Sequence, residues 1–305
     1  MRLYYEETDI TPFVDITKCN HRDVSGGRCD SLDIELDHAA TWHRWSPKMD
    51  DRLHVERDGF DTGEMYLTGI LPENGRYRMV ATSLKSSARN KAWQSYHDVT
   101  LEDVVRACAA ECGMDYRLYG LDGRLHYTYL ERQNEGCAAF LDRLMQLEGA
   151  VLKVVEGRFC CISIPWAQEQ PVAQTVGLTA EQGGVQYINQ EGTRLAGLTI
   201  RTPWGEAMAQ DTAVKGYSHP VLTDLPARDV VQAGRWARGK LLHHNRQAER
   251  LRMKTRLNTG MTAMARVDIE STAQQHGEWL VDEVEHDLKN GKTTVAMLRC
   301  INTIR

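Results

Sequence analysis

Arg52-Leu53-His54-Val55-Glu56 is followed after six residues by Gly63-Glu64-Met65-Tyr66-Leu67, and Arg266-Val267-Asp268-Ile269-Glu270 is followed after six by Gly277-Glu278-Trp279-Leu280-Val281. In both places a further strand pattern leads into Asn-Gly, at Asn74-Gly75 and at Asn290-Gly291. The shared frame is Arg-apolar-x-apolar-Glu, a six-residue gap, Gly-Glu and a hairpin. Asn-Gly accepts the positive φ that a tight hairpin turn demands, so each stretch is read as a β-hairpin. A frame recurring at both ends of one chain predicts two copies of a single β domain.

Working outward, Leu32, Ile34 and Leu36 alternate with Asp33, Glu35 and Asp37, the pattern of a half-buried strand. Strands are expected from Glu64 to Leu71 and from Arg76 to Leu84, so residues 1–85 form the first β domain. The period then changes. Thr100-Leu101-Glu102-Asp103 has the form of a capping box, and Leu101, Val104, Val105, Cys108 and Cys112 follow at helical spacing up to Gly113. A second helix is predicted over Glu135 to Leu147, with Phe140, Leu141, Leu144 and Met145 inward and Gly149 beyond it. Short strands are expected at Leu125 to Leu130, Val151 to Val155 and Phe159 to Ile164, which makes residues 86–165 an α+β domain.

Pro165 to Pro171 is read as a linker into a last domain, residues 166–305, with a strand from Leu195 to Thr202 and a helix near 227–250 opened by Pro226. Arg228, Arg235, Arg238, Lys240 and Arg246 on that helix are interleaved with Val231, Trp236, Leu241 and Leu242, and are read as its solvated face.

The chain of 305 residues is long enough for two or three packed units. Lys and Arg number 37 against 42 Asp and Glu, a formal net charge of -5, which gives no global attraction for phosphate backbones and argues against nucleic acid as a specific ligand. No apolar run approaches the roughly 20 residues of a bilayer span, so no membrane span is expected. The first residues lack the basic-then-apolar pattern of a secretion signal. The eight scattered cysteines are therefore read as reduced thiols.

Gly234-Arg235-Trp236-Ala237-Arg238-Gly239-Lys240-Leu241 fits seven positions of a phosphate-binding loop. It lacks the Ser or Thr that would hold magnesium, and it sits inside a helical pattern where the motif needs a strand-loop-helix context. Cys19, His21, Cys29, His38 and His43 crowd one region without the paired spacing of structural zinc, and Cys108 with Cys112 fits a buried helix face better than a ligand pair. Cys160 and Cys161, adjacent on a strand, point to opposite faces. Carboxylate pairs such as Asp30 with Asp33 or Glu283 with Glu285 match a solvated strand face as well as an acid–base pair. No residue is assigned a catalytic, cofactor-binding or metal-binding role, and no cofactor is expected.

Gln133-Asn134-Glu135-Gly136-Cys137-Ala138-Ala139-Phe140-Leu141-Asp142-Arg143-Leu144, with Gly149 downstream, resembles a signature of phage tail hub proteins of the late-control-protein-D type, found also in contractile bacteriocins and injection systems. Thr100 to Val105 resembles the preceding helix of that family, and Gly277 to His286 its terminal strand. Gly136 and Cys137 depart from the usual Ser/Thr-Asp, which weakens the helix cap and leaves the apolar face intact. The resemblance implies an α+β chain with two tail-tube-like antiparallel β-barrel domains around an α+β domain, Phe140, Leu141, Leu144, Gly63, Gly277 and Trp279 being packing or motif residues. It implies a homotrimeric ring that adapts a sixfold tail tube to a threefold central spike. The partners would be other copies of the chain, the spike protein, and tail tube and baseplate proteins, in a virion tail or injection particle assembled in the bacterial host cytoplasm. Acidic strand residues such as Asp282, Glu283, Glu285 and Asp287 suggest a partly negative channel. The alternatives are a tail-associated cell-wall hydrolase and a receptor- or carbohydrate-binding tail protein. For the latter Trp42, Trp45 and Trp93 are candidates, although core burial is expected of each.

Overall fold

The computed structural model describes residues 1–37, 46–73, 75–178, 184–216 and 218–305; His38, Trp42, His43, Trp45 and Asn74, singled out above, lie outside them. The first stretch forms β1 (Arg2–Tyr5), β2 (Thr8–Asp9), β3 (Ile16–Val24), β4 (Ser31–Leu36), β5 (Arg52–Arg57), β6 (Phe60–Asp61), β7 (Met65–Glu73) and β8 (Arg76–Thr82). Alternation decides its faces. Leu32, Ile34 and Leu36 of β4 are buried with Leu53, Val55, Met65, Leu67 and Met79, each full burial contributing roughly 1.5–3 kcal/mol. The opposite face carries Asp33, ion-paired to Lys18 and Arg78, and Glu35, paired to Arg76.

The middle stretch comprises β9 (Ala92–Thr100), α1 (Leu101–Cys112), β10 (Asp115–Tyr119), β11 (His126–Glu135), α2 (Cys137–Leu147), β12 (Ala150–Val155), β13 (Arg158–Ser163) and α3 (Ile164–Glu169). The capping box closes as its sequence requires: Asp103 N–H donates to the Thr100 hydroxyl, and Thr100 N–H donates to the Asp103 carboxylate. Gly113 ends α1 in the left-handed conformation. Phe140, Leu141 and Leu144 of α2 are buried, with Phe140 stacked on Tyr96 at 5.6 Å between ring centres. Gly136 starts α2 without a side-chain cap. The expected linker is helical in its first part. The Ser163 hydroxyl accepts from Trp166 N–H, and Pro165 fits the first helical turn.

The last stretch holds β14 (Gln174–Gly177), β15 (Val185–Asn189), β16 (Gly197–Thr202), β17 (Gly205–Gln210), β18 (Val221–Leu222), α4 (Val230–Asn245), β19 (Glu249–Arg256), β20 (Arg266–Glu270), β21 (Gly277–Asp287) and β22 (Lys292–Arg299). α4 is shorter than expected and is capped by Asp229, whose carboxylate accepts from Gln232 N–H, and not by Pro226. Its basic residues do not form one solvated face. Arg246 is buried beside Asp282 at 3.4 Å, Arg235 is ion-paired to Glu148 at 3.1 Å, and Arg228 lies between the rings of Tyr129 and Trp204. Val231, one of the apolar residues interleaved with them, is exposed. Trp236, Ala237 and Leu241 of α4 and Leu198 and Ile200 of β16 share one core with α1 and α2.

Where two barrels were expected, the strands of both ends lie in one sheet of 14 strands, ordered β15-β19-β22-β21-β3-β4-β8-β7-β5-β1-β2 with β20, β14 and β6 alongside, and no barrel closes among the described residues. The reason is a pairing of β3 with β21, antiparallel, that joins the two strand arrays edge to edge. No helix among the described residues is long and apolar enough to cross a membrane.

Candidate assembly surface

The junction between the arrays is built from strands far apart in the chain. β21 pairs with β20 as far as Leu280, bulges at Asp282, and then pairs with β3 from Glu283 opposite Val24 to Asp287 opposite Asn20. Ser25 N–H donates to the Asp282 carbonyl and Leu288 N–H to the Cys19 carbonyl, both at 2.8 Å, which closes the two ends of the ladder. On the open face Arg22 lies 3.4 Å from Glu283 and 3.7 Å from Glu285, and Asn20 donates to Glu285 at 3.1 Å. On the buried face His21 stacks on His286 at 6.1 Å, with Phe60 edge-on to both. Neither His21 ring nitrogen has a hydrogen-bond partner among the described residues, and burial pushes its pKa down to about 4.

A second junction is ionic. The Lys153 ammonium on β12, on a side chain 12% exposed, packs against the Asp23 carboxylate and, at 3.0 Å, the Asp30 carboxylate. Asp30 also accepts from Val24 N–H, and Asp23 from Ala263 N–H. One cation thus ties the first array, the middle stretch and the loop before β20. Burial pushes Asp30 above the ordinary carboxylate range against the pull of Lys153.

The recurring frame occupies matching places. Arg52 lies opposite Tyr66 and Leu53 opposite Met65; Arg266 lies opposite Leu280 and Val267 opposite Trp279. Gly63 lies just before β7 and Gly277 opens β21, both with φ in the left-handed half, +69° and +119°, a conformation that side chains resist. Trp279 and Met65 are both buried. The bulge between Val281 and Glu283 in β21 has its counterpart between Leu67 and Gly69 in β7. Across four strands the row Leu67, Ala81, Leu32, His21 corresponds to the row Val281, Met297, Leu251, Tyr187. The copies differ at their rims: β1 runs antiparallel to β5, whereas β14 runs parallel to β20.

The other sequence candidates are dispersed. Gly234 and Gly239 of the loop-like motif lie within α4. Cys19 and His21 are buried on one face of β3, Cys29 is half-buried, and all eight cysteines are unpaired. The Cys108 and Cys112 thiols contact Cys137, and with Arg132, whose Nη1 is 3.1 Å from the sulfur, hold that thiol below the ordinary cysteine range. Asp33 serves in surface ion pairs, Glu283 and Glu285 share Arg22, and Asp282 is matched by Arg246, so the acidic face is partly neutralised. Trp93, expected in a core, is 70% exposed. Sequence reasoning passed over Lys153, whose near-burial no local pattern marks, and also a group of His54, Glu56 and Asp61 whose ligand atoms lie within 4.8 Å of one another.

No family model matches the sequence, and no curated protein does. Solved structures do. The 43 kDa tail protein of prophage MuSo2 from Shewanella oneidensis superposes with a TM-score of 0.75 at 12% identity, over 98% of this chain and 97% of that one. The tail protein from Neisseria meningitidis MC58 gives 0.74 at 9% identity, over 98% and 95%. The E. coli c3393 protein, a component of the type VI secretion system with structural similarity to the T4 tail proteins gp27 and gp5, gives 0.61 at 12% identity, over 99% and 78%. The TM-scores and the coverage together establish that this chain has the fold of phage tail proteins and of their type VI secretion counterpart.

Proposed function

We propose that the chain is the structural hub of a phage-like tail or contractile injection system, a homotrimeric ring that adapts a sixfold tail tube to a threefold central spike. The observation that supports this reading is the presence of two copies of one strand array side by side in a single chain. Three such chains around an axis present six similar arrays while keeping true threefold symmetry. Residues 1–85 and 166–305 would each supply a tube-like β domain, and residues 86–165 the α+β domain between them. The partners are further copies of the chain, the central spike, and tube and baseplate proteins, in a tail particle assembled in the cytoplasm of a bacterial host. The role is mechanical, without catalysis or cofactor. Native mass spectrometry of the purified chain should give a species of three chains, and electron-microscopy class averages a ring with an axial channel. A monomer that persists with spike and tube proteins present would end this reading, and release of soluble fragments from peptidoglycan would favour a hydrolase instead.

The exposure of Trp93 favours a second reading, a receptor- or carbohydrate-binding tail protein, since a bare indole stacks well on sugar faces. Saccharide-dependent quenching of tryptophan fluorescence that vanishes in Trp93→Ala would support it.

A further inference from the structure

We infer that neighbouring chains join by pairing β15 of one copy, antiparallel, with the Gly69–Glu73 end of β7 of the next, in a register that sets Leu71 directly opposite Ile188. This rests on the ring reading above and names the surface and partner that such a ring needs.

The argument starts from the seam within one chain. β3 is paired on both edges, with β4 and β21. Its counterpart β15 is paired on one edge only, with β19. β21 beyond its bulge is paired with β22 and β3, whereas β7 beyond its bulge is paired only with β8. Among the described strands, therefore, β15 and the outer end of β7 each carry an unpaired edge, and these two edges are the counterparts of the two strands that already pair inside the chain. Unpaired N–H and C=O groups in a row are a template for another strand. The occupant that fits both edges at once is a second copy of this chain.

The internal correspondence also fixes the register. His21 matches Tyr187, and Val281 matches Leu67. His21 lies opposite His286, five residues beyond Val281. Tyr187 accordingly falls opposite Pro72, five beyond Leu67, and Ile188 opposite Leu71. In the seam within the chain that last position is the Arg22–Glu285 ion pair. Between chains it becomes an apolar pair, and this accounts for Leu71, a large hydrophobe 49% exposed on a strand edge. The hydrogen bonds from Ser25 and Leu288 that flank the inner ladder make Arg22–Glu285 a non-hydrogen-bonded pair, the closer kind, at about 4.5 Å between Cα atoms. Leu71 and Ile188 inherit that spacing. Pro72 offers a carbonyl but no N–H, so the ladder lacks one donor there, and the same residue discourages indiscriminate pairing of the bare edge before assembly.

The test uses the full chain with Leu71→Cys and Ile188→Cys together, oxidised mildly, with each single substitution as control for the native thiols. The expected result is a disulfide between chains in the double variant alone, confirmed by peptide mass mapping, with a non-reducing ladder that ends at three chains. Leu71→Cys with Gln186→Cys, two residues out of register, should not link. A native trimer without a disulfide between the introduced thiols, or with preferential linkage in the shifted pair, overturns the seam and leaves the ring reading standing. A chain that is only monomeric overturns both. Importing the inner ion pair gives an independent check. Leu71→Glu or Ile188→Arg alone should weaken trimer formation about tenfold, and the two together should restore it to within about threefold. Failure of the pair to restore it counts against the register.

Discussion

Lys153 makes a compromise that only burial reveals. Its ammonium carries two carboxylates out of water, and such a cluster gains little over an apolar core while punishing the loss of any one member. Lys153→Met should therefore cost about 3–5 kcal/mol in urea denaturation. The triple variant Lys153→Met/Asp23→Asn/Asp30→Asn should lose less than the single one, since no bare charge remains. His21 next door gives a pH signature. Its folded pKa, about 4, lies below the ordinary histidine value, because burial opposes charge while the Asp23 carboxylate nearby only partly compensates and His286 and Lys153 add to the opposition. The unfolded chain takes up that proton first as pH falls. The contribution of His21 is thus complete above pH 6.5 and lost down to about 4, a difference of about 3 kcal/mol. Asp30, raised by burial, acts in the opposite sense, since its proton binds the folded state first. Comparing His21→Phe with the parent chain isolates the histidine: the variant should lose less stability between pH 6.5 and 4, and an unchanged slope would count against the assignment.

Among the elements, α4 shows how a misleading motif and a packing requirement share residues. Gly239 lies where α4 crosses the end of α2, and a Cβ there would collide with the Leu147 carbonyl and the Gly149 nitrogen, backbone atoms that cannot swing aside. Gly234, one and a half turns earlier, would place its Cβ 3.6 Å from that of Ala207, an ordinary contact. Gly239→Ala should therefore destabilise by about 1–3 kcal/mol, and Gly234→Ala should be neutral or stabilising by up to about 1 kcal/mol, both read as thermal midpoints. What made these elements legible in sequence was local. The Thr100 capping box, the Leu32–Leu36 alternation and the Phe140, Leu141, Leu144 stripe each need only a few neighbouring residues to declare themselves, and all adopt the expected element. The start of α4 was misplaced because Pro226 and Asp229 are both good openers, and the Asp229 side chain reaches Gln232. The joining of two arrays into one sheet depends on β3 meeting β21 across most of the chain, and alternating strands carry no label of their partner. The same blindness hid the near-burial of Lys153 and the burial of Arg246, long side chains whose exposure depends on what arrives from elsewhere.

At the scale of the whole molecule, charge and seam chemistry make opposite demands on assembly. Each chain carries a formal net charge of -5, so copies brought together repel one another, and added salt screens that repulsion. The seam inferred between chains rests on backbone hydrogen bonds and an apolar pair, which salt does not weaken. The seam inside the chain has Arg22 between Glu283 and Glu285 at the same position, but its strands are tethered and need no help from long-range attraction. The parent trimer should accordingly hold or tighten as ionic strength rises from about 0.05 to 0.5 M, a range over which the screening length falls from above to below 10 Å. In the variant carrying Leu71→Glu and Ile188→Arg together the seam gains an exposed ion pair, of the kind worth about 1 kcal/mol or less and sensitive to screening. Its trimer should loosen relative to the parent over the same range. Analytical ultracentrifugation across the salt series measures both. Parallel salt responses in parent and variant would mean that positions 71 and 188 do not face each other, because only a pair within a few ångströms can convert a substitution at two distant sites into a change in the salt dependence of association.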